Sequence, residues 1–452
     1  MDVWDTYVMT LHSPRMLHLA AFVAAGPVSG HHGGWRHDAA DRGLLSLQYY
    51  QRIAQILEAA KFDLVFLPDI LGVPDRLGNS LDSQLRQGAL GALRLDPMVV
   101  LSVMAASTAH LGLAATLSTT YHEPYLLARA LATLDHLSGG RAAWNIVTSF
   151  QEAEARNFGQ RDLPDRAERY ERADEFVEVV CKLWDSWRDD ALVLDPVAPL
   201  FADPAKVTPI DHRGKWFDVR GPLNVSRSPQ GRPVFLQAGA SSRGRDFAAR
   251  WADVVFVTPA SQASAWEFYR DLKQRAACHG RDPEDIRILP ALNPIVGETT
   301  RDAEEKRAAL DRLAAPEAGL STLSYHLGID LSIYPQDEVL PLLDVPGVDG
   351  HYREVAELSH SAGLSLSEIG ARYGRGSARV VVGSASDIAD RIEAWFTAGA
   401  ADGFMLQPAY LPGALEDFVR LVVPELRKRG LFRTEYEFPT LRGQLGIARP
   451  VA

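Results

Sequence analysis

Short apolar runs alternate with longer amphipathic stretches along nearly the whole chain. The runs at 17–23, 64–67, 111–117, 142–147, 234–238, 254–257, 286–296 and 403–406 predict eight strands, in the rhythm of a parallel sheet. Helix signals fill the intervals. Asp96-Pro97 places a cap and a first-turn proline ahead of a helix over 98–110, and His122-Glu123-Pro124 is expected to do the same for 125–137. Over 166–187 the apolar residues Phe176, Val177, Val180, Leu183, Trp184 and Trp187 share one stripe, with charged residues opposite.

Eight strand–helix units form either a closed barrel or a long open sheet. A doubly wound dinucleotide fold should carry G-x-G-x-x-G after its first strand. Here that strand runs into Ala25-Gly26-Pro27-Val28-Ser29-Gly30-His31-His32-Gly33-Gly34, which does not match and is not followed directly by a helix. The predicted fold class is therefore α/β, a (β/α)8 TIM barrel, with residues 1–452 forming one domain. Two insertions interrupt it, after strands 4 and 7. Residues 188–232, rich in Pro, Gly and Asp, read as a long irregular loop. Residues 297–380 mix helical pieces with turns at Tyr334-Pro335 and Val345-Pro346-Gly347, before 388–396 resumes the barrel pattern. Segments of this length in a compact domain usually act as lids or binding elements.

Charge narrows the partners. The net charge is −11, from 47 basic and 58 acidic residues, and no basic run occurs, so a nucleic-acid backbone is excluded as a partner. Cys181 and Cys278, each in a helical apolar pattern, read as buried reduced thiols of a cytoplasmic protein. Asp2 and Asp5 stand where an export signal would be basic, and no long uncharged apolar stretch predicts a membrane span.

In a barrel, chemistry sits where strands end and loops begin. Strand 2 runs out at Leu67-Pro68-Asp69, which puts a carboxylate at the mouth, either capping a turn or contacting a ligand. Strand 3 ends in the hydroxyl cluster Thr116, Ser118, Thr119 and Thr120; threonine is also simply a good strand residue. Asn145 falls inside the apolar fourth strand, where an unpartnered carboxamide costs ~1–3 kcal/mol and so needs a structural or ligand partner. After strand 5, Gln237-Ala238-Gly239-Ala240-Ser241-Ser242-Arg243-Gly244 feeds a helix expected from about Asp246. Such a small-residue turn aims unpaired N–H groups and the positive end of a helix dipole at an anion, and Ser241 and Ser242 add hydroxyls. The simpler alternative is an ordinary serine cap. No P-loop, nucleophile elbow or H-E-x-x-H helix occurs, and His31-His32 without further ligands does not make a metal site.

These residues sit within longer stretches that resemble the bacterial luciferase-like flavin monooxygenases, in the branch of nitrilotriacetate and dibenzothiophene-sulfone monooxygenases. The stretches include His32-Gly33-Gly34-Trp35-Arg36, Lys61–Asp69, Leu134-Asp135-His136-Leu137-Ser138-Gly139-Gly140-Arg141, Trp144–Ser149, Arg169-Tyr170, Gln237–Gly244, Ala401-Asp402-Gly403-Phe404 and Thr440-Leu441-Arg442-Gly443-Gln444-Leu445-Gly446. The resemblance implies FMN, as FMNH2 supplied by a separate NAD(P)H:flavin reductase, and transfer of one oxygen atom from O2 to a small organic substrate through a flavin (hydro)peroxide. It further implies flavin binding by Asp69, Thr116, Asn145, Tyr170 and Ser241, with Tyr170 and Ser241 at the phosphate, and assembly as a homodimer or homotetramer. Arg166 stands where the family usually has a histidine, and a permanent cation would hold a phosphate at least as well. Phe22, Phe66 and Phe256 are expected to wall an apolar pocket. His32, Trp35 and His326, in long loops, are expected to close over the ring, with His32 and His326 as candidate catalytic groups and His326 hydrogen-bonding the reacting oxygen. Two other readings are hydride transfer with a deazaflavin or flavin without oxygen, and a non-catalytic flavin carrier.

Overall fold

The computed structural model describes residues 15–27, 30–239, 241–341, 350–376 and 380–451. Val28-Ser29, Ala240, the Val345-Pro346-Gly347 turn, Asp2 and Asp5 lie outside them. Eight strands form the barrel, numbered here in chain order: β1 His18–Phe22, β2 Leu64–Leu67, β3 Gly112–Ser118, β4 Ala142–Val147, β5 Val234–Gln237, β6 Val254–Val257, β7 Arg287–Val296 and β8 Gly403–Leu406. Each pairs in parallel with the next, and β8 pairs with β1 to close the ring. Closure leaves the eight barrel strands without an open edge.

Strand periodicity sorts the apolar residues into two shells. Ala20, Leu64, Phe66, Ala114, Ala143, Val234, Leu236, Val254, Leu289 and Met405 point inward and pack together, with Phe22 and Phe256 at the margin. Leu19, Val65, Leu113, Leu117, Trp144 and Phe235 point outward against the helices. Leu441, Leu445 and Ile447 from the C-terminal segment complete the inner cluster. The Thr440–Gly446 stretch thus closes the barrel, and Arg442 anchors it on Asp253 at 2.9 Å.

Carboxylates hold the N-terminal ends of the strands. Asp63 accepts from the Leu19 N–H at 2.8 Å, Asp253 from Phe235 at 2.9 Å, and Asp402 from Ile288 at 2.8 Å. The Asp in Phe62-Asp63 and in Ala401-Asp402 therefore serves the backbone, not a ligand. Arg141 likewise donates to the carbonyls of Ser138, Leu111 and Thr108, tying two helix ends together.

The helices follow their signals with some differences. Pro97–Ala106 is capped by Asp96, whose side chain accepts from Met98 and Val99. Pro124–Ser138 begins at Glu123, but the Glu123 side chain makes no cap, because its longer arm overshoots the N–H groups a shorter side chain would reach. The helix predicted over 166–187 stops at Trp184. Residues 188–232 are not irregular throughout: Leu192–Asp195 pairs with Leu200–Ala202, and His212–Arg213 with Asp218–Val219, in two small antiparallel hairpins. The second insertion holds helices Thr300–Asp311, Pro316–Leu327, Gly350–Ala362 and Leu366–Gly374, and its strand Val380–Gly383 adds to β7. Cys181 is buried as expected, but Cys278 is exposed, since it closes its helix on the solvent side. Among the described residues no helix is long and apolar enough to cross a membrane, and no group of three or more His, Cys, Asp or Glu is placed to hold a metal ion.

Candidate active site

The C-terminal ends of the strands form the mouth. Its floor is aromatic: Phe22 meets Phe66 edge-on at 5.3 Å between ring centres, and Phe256 lies 5.9 Å from Phe22 and 6.2 Å from Phe66. Pairs at these separations add interaction energy beyond the area they bury. On the adjoining wall, Asn145 and Thr116 are register partners on β4 and β3, and the Asn145 amide donates to the Thr116 hydroxyl at 3.0 Å. One layer higher, the Ser118 and Ser149 hydroxyls lie 3.0 Å apart. Ser149 holds a left-handed φ of 51°, which turns the chain sharply just after β4.

After the neighbouring strand β5, the helix Ser242–Trp251 starts four residues earlier than predicted, because Ser241 itself caps it by accepting from the Gly244 N–H at 3.1 Å. Gly244 leaves room there for two side chains. A Cβ on it would stand 3.0 Å from the Tyr170 hydroxyl and 3.1 Å from both Ser241 Oγ and Gly239 Cα. Two hydroxyls from different elements thus converge on one bare backbone position at a helix N-terminus. Arg166 hydrogen-bonds Tyr170, and the Arg243 guanidinium lies 5.2 Å over the Tyr170 ring. Burial pushes the Tyr170 hydroxyl up, against the pull of Arg166, Arg243 and Arg169. Burial also lowers Arg169, with repulsion from Arg166 second, and Arg169 Nε is buried without a hydrogen-bond partner among the described residues. Crowded cations of this kind favour an anion. Ser242 is exposed, beyond this convergence.

On the β1–β2 side stands a second cluster that the sequence did not disclose. Half-buried Asp69 faces Arg94, Glu154 and Tyr325. Burial pushes the Asp69 carboxyl up to about 7, and Glu154 upward too. His32 belongs to this cluster: burial first, then its neighbours His31 and Arg94, hold its imidazole down at about 4, so it is neutral at physiological pH. A neutral imidazole can orient or accept a hydrogen bond but cannot supply a proton as imidazolium.

Trp35 is half-buried and donates to the Gln87 carbonyl at 2.9 Å, which pins the loop after β1 to the segment after β2. His326 is not in a loop. It lies in the last turn of Pro316–Leu327, which proline opens and a left-handed Gly328 ends, and its Nδ1 pairs with the Tyr373 hydroxyl. Its neighbour Tyr325, about 100° away around the helix, is the side chain turned to the Asp69 cluster.

The Asp69 carboxyl makes a testable contribution to stability. Its folded pKa lies above the ordinary 3.8, so the folded state takes up the proton more readily. That contribution is complete below about pH 4 and is lost as pH rises through about 7. The unfolding free energy of the native protein relative to Asp69→Asn is expected to fall by about 2 kcal/mol across this window, after discounting for partial exposure, and then to stay level. Denaturant titrations at several pH values measure it, and a flat difference would refute the assignment.

Residues 27–402 match the luciferase-like monooxygenase family. The chain is 50% identical over 442 residues to the dibenzothiophene-sulfone monooxygenase of Rhodococcus erythropolis (strain XP), covering 96% of this chain and 98% of that one. It is 42% identical over 433 residues to nitrilotriacetate monooxygenase component A of Aminobacter aminovorans, covering 94% and 95%. Its structure superposes on riboflavin lyase with modified FMN and riboflavin at a TM-score of 0.87 and 35% identity, covering 97% of both chains. With the barrel, its mouth and these likenesses together, the chain belongs to the luciferase-like family and is a flavin-dependent monooxygenase.

Proposed function

We propose that this protein is the oxygenating component of a two-component system, taking reduced FMN from a separate NAD(P)H:flavin reductase and placing one atom of O2 on a small sulfur- or nitrogen-containing organic substrate. The observation that carries the flavin is the convergence of the Tyr170 and Ser241 hydroxyls on Gly244, at a helix N-terminus beside Arg166. The residues fit a phosphate: the cradle is one that a Cβ would fill, and Arg166 and Arg169 beside it repel each other, which an anion would relieve. The substrate class draws on the relatives acting on a sulfone and on an aminopolycarboxylate. The name component A of one relative favours the separate reductase. We place the protein in the cytoplasm, as a homodimer or homotetramer.

When bound, reduced FMN would supply the two electrons for oxygen activation. The chain's own residues bind, orient and exclude water. Tyr170, Ser241 and Arg166 would hold the phosphate, while Asn145, Thr116 and Asp69 would face the ribityl chain and ring. Phe22, Phe66 and Phe256 would give the substrate a dry apolar floor, which matters because water diverts the reduced oxygen species. Neutral His32 would orient the reacting group, and the helix bearing Tyr325 and His326 would cover it.

Oxygen consumption with NADH, FMN, a flavin reductase and a panel of sulfones and amines tests the reading. Substrate-dependent uptake with one oxygen atom in the product is expected. Uptake that never yields an oxygenated product, with turnover instead on a deazaflavin, would overturn it in favour of hydride transfer.

A further inference from the structure

Among the described residues, Arg94 is the arginine with two buried guanidinium nitrogens that have no hydrogen-bond partner. Its Nη1 lies beside Gly26 in the loop after β1, where a Cβ on that glycine would approach it to 3.0 Å. The residue as a whole is half-buried, yet Nε and Nη1 are buried and have no hydrogen-bond partner among the described residues. Burial lowers its pKa to about 10, against the pull of Asp69, Tyr325 and Tyr50, and it remains charged. Asp69 acts on it through space, but neither of these nitrogens hydrogen-bonds a carboxylate.

Buried guanidinium N–H groups without acceptors are expensive, and proteins seldom keep them without use. Arg141, buried in the same barrel, spends its donors on five protein acceptors. The contrast is one of position: Arg141 clamps helix ends, while Arg94 sits at the mouth between His32 of the β1 loop and Tyr325 of the second insertion. Both lie on the β1–β2 side of the barrel, where Phe22 and Phe66 stand, whereas the proposed phosphate cradle follows β5. A guest lying on Phe22 and Phe66 would meet Arg94 at its far edge.

We propose that Arg94 determines substrate specificity by donating from Nε and Nη1 to a paired-oxygen acceptor on the substrate, a carboxylate or a sulfonyl group. The planar fork of the guanidinium matches two oxygens on one atom, which an ammonium does not. The substrate class is thus an apolar body carrying such a group. This inference rests on the proposed monooxygenase function, and its test separates the two.

The test is calorimetric titration of the native protein, Arg94→Lys and Arg94→Met, each first saturated with oxidised FMN. The probes are dibenzothiophene sulfone, nitrilotriacetate, and dibenzothiophene, which lacks the oxygens. FMN affinity is expected to be the same in all three proteins, which also shows that the variants fold. At least one oxygen-bearing probe is expected to bind the native protein and to lose about 10- to 100-fold in Arg94→Met, with only partial recovery in Arg94→Lys. Dibenzothiophene should bind all three alike. Which oxygenated probe responds distinguishes sulfonyl from carboxylate. Unchanged probe affinities, failure of both oxygenated probes to bind the native protein, or a loss confined to FMN would overturn the proposal. Failure of the native protein to bind FMN would instead refute the flavin reading.

Discussion

Arg433→Met is expected to lower the unfolding free energy by about 3–5 kcal/mol, the cost of stranding a buried carboxylate. Asp63 is fully buried at the closed end of the barrel. Its Oδ1 receives Arg433 Nη2 at 2.7 Å and faces His18 Nδ1 at 2.9 Å, while Oδ2 accepts from the Leu19 N–H. Burial alone would push this carboxyl up, but Arg433, His18 and the backbone outweigh it and hold it below the usual range. Its contribution to stability is therefore present above about pH 4 and is lost as pH falls through the lowered folded value. Methionine keeps the arginine's bulk but removes the charge and the bond to Gln444 Oε1. Denaturant unfolding at neutral pH measures the loss. The double variant Arg433→Met/Asp63→Leu is expected to recover much of it, because apolar replacement of both partners removes the stranded charge. Equal instability in the double variant would mean that Arg433 contributes packing alone.

At the open end, Gly244→Val is expected to weaken FMN binding about 100-fold. The first atom of the new side chain would already stand 3.0 Å from the Tyr170 hydroxyl and 3.1 Å from Ser241 Oγ, so a branched one fills the space where these groups converge. Gly244→Ala should give an intermediate loss, since its neighbours need to give by only a few tenths of an ångström. Quenching of flavin fluorescence on titration reads the affinity directly. Native affinity in Gly244→Val would move the phosphate elsewhere on the barrel.

The two variants test opposite ends of a fold that was unevenly legible. All eight strands lie within a residue or two of the predicted runs, because a strand covered on both sides must be apolar along its length. The cap at Asp96 was readable because a short polar side chain before an apolar helix has few other uses, while the cap at Ser241 was only the simpler alternative to an anion site. The hairpins of 192–219 were not, since strands of two to four residues carry no measurable periodicity. His326 was expected in a loop, whereas it ends a helix whose preceding residue, Tyr325, joins the Asp69 cluster.

The order of apolar and polar residues determined that this chain is a barrel, where its strands run, and that a small-residue turn opens a helix after β5. Local chemistry suffices for these, because each depends on residues a few positions apart. Only the tertiary structure decided which matching stretches serve the fold and which serve the mouth. Asp63, Arg141, Asp402 and Arg442 proved to be clamps at strand and helix ends. Asp69, Arg94, Glu154 and Tyr325, scattered over more than half the chain, became one charged cluster. No spacing encodes that meeting: barrel closure and the folding-over of an insertion bring these side chains together.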